Sequence, residues 1–181
     1  MAKAAVFVID GTEELEAVAV IDVLRRAGVD VDVVSLAPGQ AVVCRSKTVL
    51  TADLTFEAFQ PAAYDALIIP GGTVAYADHQ PFMAALAERA AAGVRVAAIC
   101  AAPAVLGRLG LLKGKKAVCY PGLEPELVGA EIPSPPPAVL TDGLVTTSRG
   151  PSTAVAFGLE LASLLVSPEA ARTVSQDILL S

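Results

Sequence analysis

Cys100 stands where two kinds of sequence meet. The run V-R-V-A-A-I that leads into it is β-branched and apolar, while the A-A-P-A-V-L that leaves it is small and helix-like. A residue between a strand and a helix sits in a sharp turn that presents its side chain, the geometry of a nucleophile elbow, and the small neighbours Ala98 and Ala102 let the backbone bend that tightly. A helix N-terminus also favours a thiolate, so the position predicts a lowered thiol pKa and high reactivity. The alternative is a buried cysteine acting as a small apolar side chain. That plainer reading suits Cys44 and Cys119, which have no elbow around them.

A nucleophile needs a proton partner and donors for developing negative charge. The stretch D-G-T-E-E-L-E-A-V gathers Glu13, Glu14 and Glu16 at the start of a helix, where the helix dipole favours carboxylates without further purpose. Capping suffices for Glu13 and Glu14. Glu16, a helical step from Ala19 and Val20, can instead face inward. A carboxyl so placed beside a thiolate has a raised pKa and can carry a proton. After Pro70, Gly71 and Gly72 let the main chain approach a ligand closely. The N–H groups of Gly72 and Ala101 then offer an oxyanion site. His79, the only histidine, lies in the polar segment A-D-H-Q-P and reads as an exposed loop residue rather than a catalytic one. With one histidine and no Cys/His cluster, neither a metal nor another cofactor is expected.

These groups need a frame to bring them together. Apolar runs alternate with helical patterns: strands over 4–9, 30–36, 66–69 and 94–99, and helices over 13–27, 81–92 and 101–109. Residues 41–54 read as two short strands joined near Arg45 to Lys47, a basic cluster taken as a solvated hairpin. Later, residues 138–140 and 144–147 flank Asp142-Gly143 as a hairpin, and 152–166 is an apolar helix behind Pro151. The closing D-I-L-L-S is either a docking segment or a frayed end. Strands alternating with helices predict a mostly parallel sheet covered on both faces, a three-layer α/β sandwich. Ligands then gather at the carboxyl ends of the strands. Cys100 and the loops at Asp10 and Gly71 all fall there.

Composition bounds the function. The chain has 181 residues, 54% of them hydrophobic, and fits a single domain over 1–181. A formal net charge of −6 supplies no basic field for nucleic acid. The apolar N-terminal run, interrupted by Asp10, is too short for a signal peptide or a membrane span. Three cysteines without paired spacing suggest reduced thiols, so a soluble, cytoplasmic protein is expected.

Four segments in this order, G-T-E-E-L-E-A, L-I-I-P-G-G-T, A-A-I-C-A-A-P and T-T-S-R-G-P, resemble the ThiJ/PfpI superfamily, closest to the branch that holds the Parkinson-linked protein deglycase and its bacterial relatives. The resemblance runs from about Lys3 to about Val166. It implies a flavodoxin-like, class I glutamine amidotransferase-like sandwich, a homodimer, and an elbow cysteine readily oxidised to a sulfinate. By motif, Cys100 matches that cysteine, Glu16 the protonated glutamate beside it, and Gly72 and Ala101 the backbone donors. Gly71, Arg26, Ser148 and Arg149 match positions that line or support the pocket, and the resemblance places the Arg45 region near the dimer partner. Two departures matter. Ala101 replaces the histidine that follows the cysteine in protease-like members, so a Cys-His peptidase is not supported. Tyr120, in V-C-Y-P, replaces the histidine usual in the deglycase-like branch. A tyrosine, with a reference pKa near ~10, donates hydrogen bonds but is a poor base at neutral pH.

Three functions follow from the resemblance. One is a cofactor-free glyoxalase or deglycase acting on methylglyoxal-type dicarbonyls or their adducts on proteins, through a Cys100 hemithioacetal with Glu16 as proton shuttle. Another is an oxidative-stress sensor or redox-regulated chaperone working through Cys100 sulfinate. A third is a small-molecule hydratase, against which Ala101 argues, since that pattern places threonine after the cysteine. The first is the expected function.

Overall fold

The computed structural model describes residues 1–180. The elements in order are β1 (Lys3–Val8), α1 (Glu14–Arg26), β2 (Asp30–Ser35), β3 (Ala41–Val43), β4 (Val49–Thr51), β5 (Leu54–Thr55), β6 (Ala66–Ile69), α2 (Gln80–Ala91), β7 (Arg95–Ile99), α3 (Pro103–Arg108), β8 (Val139–Asp142), β9 (Val145–Ser148), α4 (Ala154–Leu165) and α5 (Pro168–Asp177). Seven strands form one sheet in the order β5-β2-β1-β6-β7-β9-β8, all pairs parallel except β8 with β9.

Period-two alternation divides each central strand between two cores. Phe7, Leu67, Ile69 and Ala98 pack towards α2 and α3, against Phe82, Leu86, Val105 and Leu106. Val6, Ile68, Ala97 and Ile99 pack the opposite way, against Val20 and Leu24 of α1 and Phe157 and Leu161 of α4. The result is the three-layer α/β sandwich that the alternation predicts, flavodoxin-like as the family resemblance implies. Strand order reverses at β1, with β2 on one side and β6 and β7 on the other. Such a switch point opens a crevice at the carboxyl edge. The loops after β1 and β6 and the turn after β7 all end beside it.

The differences from the sequence reading are local. The 41–54 region makes the expected hairpin, β3 with β4, but Leu54 and Thr55 leave it to extend the main sheet beside β2. Helix α3 begins at Pro103 rather than Ala101, because Cys100 takes a positive φ and the chain turns through Ala102 before a helix can start. A 3-10 turn, Pro151–Thr153, precedes α4. The C-terminal segment contains a helix that the apolar pattern did not suggest: Ser167 caps α5, and its Val174 is buried. No helix among the described residues is long and apolar enough to cross a membrane.

Candidate active site

Three loops from the carboxyl edge converge on Cys100. Its φ is +66°, a left-handed conformation that a non-glycine residue adopts at a cost of about 1–3 kcal/mol. Two backbone bonds hold it there. Cys100 N–H donates to Ser148 O at 3.0 Å, and Tyr120 N–H donates to Cys100 O at 2.8 Å. The side chain is nearly buried, at 8% exposure, on the floor of a cavity of about 460 Å³. Glu13, Arg45 and Gly72 form one wall of that cavity, and Tyr120, Pro121, Leu123 and Pro151 form the other.

Glu16 lies behind the sulfur and is fully buried. Its Oε2 accepts the Gly71 N–H at 2.6 Å, and its Oε1 is buried with no hydrogen-bond partner. Burial raises the carboxyl pKa to about 7, against the opposing pull of the Gly71 N–H and Cys100. The Cys100 thiol is also pushed up, to about 12, first by burial and then by the Glu16 charge. The N–H groups of Gly72 and Ala101 act the other way and favour the thiolate. This overturns the expectation of a thiol acidified by its helix. The helix is only six residues long, and burial outweighs its end. Because each charge disfavours the other, the two groups titrate as a pair, and neutral Glu16 is the state in which a thiolate is least opposed.

The glycine turn aims its donor by a simple rule of planar peptides. Gly71 O accepts the Glu13 N–H at 2.9 Å, so the Gly72 N–H, on the opposite side of that peptide, points away from Glu13 and towards Cys100. Neither glycine admits a side chain. A Cβ on Gly71 would stand 2.6 Å from Cys100 Cβ, and one on Gly72, whose φ is +88°, would stand 2.4 Å from Glu13 N. Thr12 and Tyr76, both fully buried, brace the first loop: their hydroxyls share a hydrogen bond of 2.7 Å, and Thr12 Oγ1 donates to Ile9 O.

Of the residues singled out from sequence, Cys100, Glu16, Gly71, Gly72, Ala101 and Tyr120 come together here. Tyr120 does so as a half-exposed wall residue (49%), and its hydroxyl makes no hydrogen bond among the described residues. Three do not join the wall. Arg26 is in the last turn of α1, which runs antiparallel to the sheet and ends at its far edge, where Arg26 pairs with Asp22 at 2.7 Å. Ser148 is fully buried; it serves the site through its carbonyl, while its Oγ lies 2.6 Å from Thr153 Oγ1. Arg149 lies beside Cys119, whose thiolate its charge favours, rather than on the cavity. His79 is half-buried and caps α2, its Nδ1 accepting the Phe82 N–H at 3.1 Å. Cys44 and Cys119 are buried, with thiols raised by burial.

Sequence reasoning missed Arg45. The hairpin that carries it folds back over the first loop: Arg45 N–H donates to Thr12 O, and its Nη1 donates to Gly72 O, each at 2.9 Å. Nothing in the segment C-R-S-K signals this, since the partners lie about thirty residues away on either side. Leu123 and Pro151 were missed for the same reason.

The DJ-1/PfpI family matches residues 2–164. The chain belongs to this family. DJ-1beta of Drosophila melanogaster is 34% identical over all of this chain and 99% of its own length, and its crystal structure superposes with a TM-score of 0.93, at 33% identity over 99% and 98% of the two chains. The oxidised DJ-1 of Toxoplasma gondii superposes at 0.91 with 35% identity, over 99% and 98% of the two chains. A deglycase of Pyrococcus horikoshii is 33% identical over 62% of this chain and 69% of its own. The DJ-1/PfpI resemblance read from the four sequence segments is therefore met, in family and in fold.

Proposed function

We propose that this protein is a cofactor-free glyoxalase or deglycase that converts ketoaldehydes, or their adducts on proteins, to hydroxy acids. The observation that carries this reading is geometric: Glu16 is fully buried and held by the Gly71 N–H in the turn that packs against Cys100, and that burial raises its pKa. The Pyrococcus relative, a deglycase, supports it.

The Glu16 carboxylate takes the Cys100 proton, so that in the reactive pair Glu16 holds the proton and Cys100 is the thiolate. The sulfur adds to the aldehyde carbon, and the carbonyl oxygen takes the Glu16 proton, giving a hemithioacetal. The Gly72 and Ala101 N–H groups, placed at the sulfur, are the donors assigned in this reading to the oxygen that gains charge in that step. Glu16, now a carboxylate, removes the hydrogen on the sulfur-bearing carbon; the hydroxyl proton on that carbon passes to the former ketone oxygen through the enediol, and Glu16 returns its own proton to the neighbouring carbon. The former aldehyde carbon is oxidised to a thioester and the former ketone is reduced to an alcohol, so no external electron acceptor is needed. Water cleaves the thioester, releasing the hydroxy acid and the Cys100 thiol. One carboxyl thus serves both proton transfers. The Tyr120 hydroxyl, half-exposed, has no part in this sequence.

Oxidation sensing is a second reading, favoured by the unpartnered Oε1 of Glu16. Peroxide transfers an oxygen to the thiolate and leaves as water; a second equivalent gives the sulfinate, whose oxygen would accept a hydrogen bond from neutral Glu16. Glu16→Gln separates the two readings. The substitution abolishes ketoaldehyde turnover if Glu16 moves the proton, yet permits sulfinate to form on peroxide treatment, as mass spectrometry would detect. An E16Q variant that retains full turnover would overturn the mechanism.

The assembly is proposed to be a homodimer, paired through the outer face of α1 and the β3–β4 hairpin. Leu15, Val18, Val43 and Val49 are 45–59% exposed there. Three unpaired thiols suit a reducing compartment such as the cytoplasm.

A further inference from the structure

The cavity above Cys100 is larger than the smallest ketoaldehydes require, and its two walls differ in kind. About 460 Å³ falls in the range of sites that hold much bulkier ligands. On one wall the charge of Arg45 is already engaged: Nη1 donates to Gly72 O, and Nε lies 4.0 Å from a Glu13 carboxylate oxygen. That wall is polar, with the Glu13 carboxylate and the Arg45 guanidinium both on it. The other wall, Tyr120, Pro121, Leu123 and Pro151, is apolar.

The apolar wall is tied to the nucleophile. Tyr120 N–H donates to Cys100 O, Leu123 N–H donates to Tyr120 O at 3.1 Å, and the Gly122 N–H is held by Glu124 at 2.7 Å. These bonds make a short, braced turn whose side chains keep a fixed distance from the sulfur. Leu123 also packs against the larger core, so it is anchored from behind. An apolar surface held ready beside a reactive atom holds a substrate's unreactive part at low entropic cost, and orientation of that kind feeds directly into rate.

We propose that the substrates of this site are neutral ketoaldehydes whose substituent is apolar and larger than methyl, with Leu123 and its turn as the specificity-determining contact. The inference rests on the ketoaldehyde reading above and adds the substituent. A methylene gained or lost in an apolar pocket changes kcat/KM by about 10- to 200-fold. Isobutylglyoxal, converted to leucic acid, is therefore favoured over methylglyoxal, converted to lactate, by at least about tenfold in kcat/KM.

The test compares the two substrates on the wild type and on Leu123→Ser, with Cys100→Ser as the chemical blank. The expected result is a wild-type preference for isobutylglyoxal that falls at least about tenfold in L123S. Turnover of methylglyoxal with no such preference, or a preference that survives L123S, would overturn the substituent claim and leave the ketoaldehyde reading standing. If neither substrate is turned over, the ketoaldehyde reading fails. The wall is then judged by binding: leucic acid should protect Cys100 from iodoacetamide more strongly than lactate at equal concentration, and equal protection overturns it.

Discussion

The Gly71 N–H donates to Glu16 Oε2 at 2.6 Å, and the point where a Gly71 side chain would begin lies 2.6 Å from the Cβ of Cys100. One residue therefore both holds the acid and leaves room for the nucleophile. Gly71→Ala should push Cys100 and Glu16 apart. A misplacement of about 1 Å costs on the order of 100-fold in rate, so G71A should lose at least that in ketoaldehyde kcat/KM. Circular dichroism and thermal melts would establish that the variant still folds.

The pH dependence of Cys100 reactivity tests the shared proton. In the wild type the proton lost near pH 7 is that of Glu16, and the carboxylate it leaves helps to hold the Cys100 thiol up, so alkylation by iodoacetamide should still be rising well above that pH. In Glu16→Gln the thiol titrates without its partner, while burial still opposes the thiolate. The midpoint should move down, because the Glu16 charge that helps to raise the thiol has been removed. Peptide mapping confirms that Cys100, rather than Cys44 or Cys119, carries the label. An unchanged midpoint would mean that Glu16 and Cys100 are not coupled.

Stability should show the same carboxyl. The Glu16 pKa is about 7 in the folded chain against an ordinary value of 4.5. Between those values the unfolded chain has released its proton and the folded chain has not, so folding stability falls as pH rises through this window. Below about 4.5 Glu16 contributes no further change. The shift corresponds to a loss of up to about 3 kcal/mol, and urea melts at pH 5 and pH 8 would detect it. Glu16→Gln should flatten that difference.

Much of the site was legible because the chemistry follows local spacing. A β-branched run into Cys100, a carboxylate helix after the first strand and a Pro-Gly-Gly turn after another each fix a residue at a strand end, and parallel topology brings those ends to one edge. Arg45, Leu123 and Pro151 reach the cavity through contacts distant in sequence, and no local pattern announces them. Arg26 was misplaced because its helix position, not its residue type, decides which edge it serves. The direction of the Cys100 shift was equally hidden. Burial is a tertiary property, and here it outweighs the helix end that the local sequence does reveal.

The proposed pairing of two copies makes a separate claim. Replacing Val18 on the outer face of α1 with aspartate would place a charge in the apolar surface formed with the hairpin. V18D should be a monomer by light scattering at concentrations where the wild type has twice the mass. A wild type that is itself monomeric would contradict the pairing.

Lactate formation from methylglyoxal, followed for the wild type beside Cys100→Ser, tests the role of the elbow cysteine most directly. Lactate from the wild type alone is the result expected of a Cys100 thiolate served by Glu16. Equal lactate from both proteins would contradict covalent catalysis at Cys100, and none from either would contradict the glyoxalase reading itself.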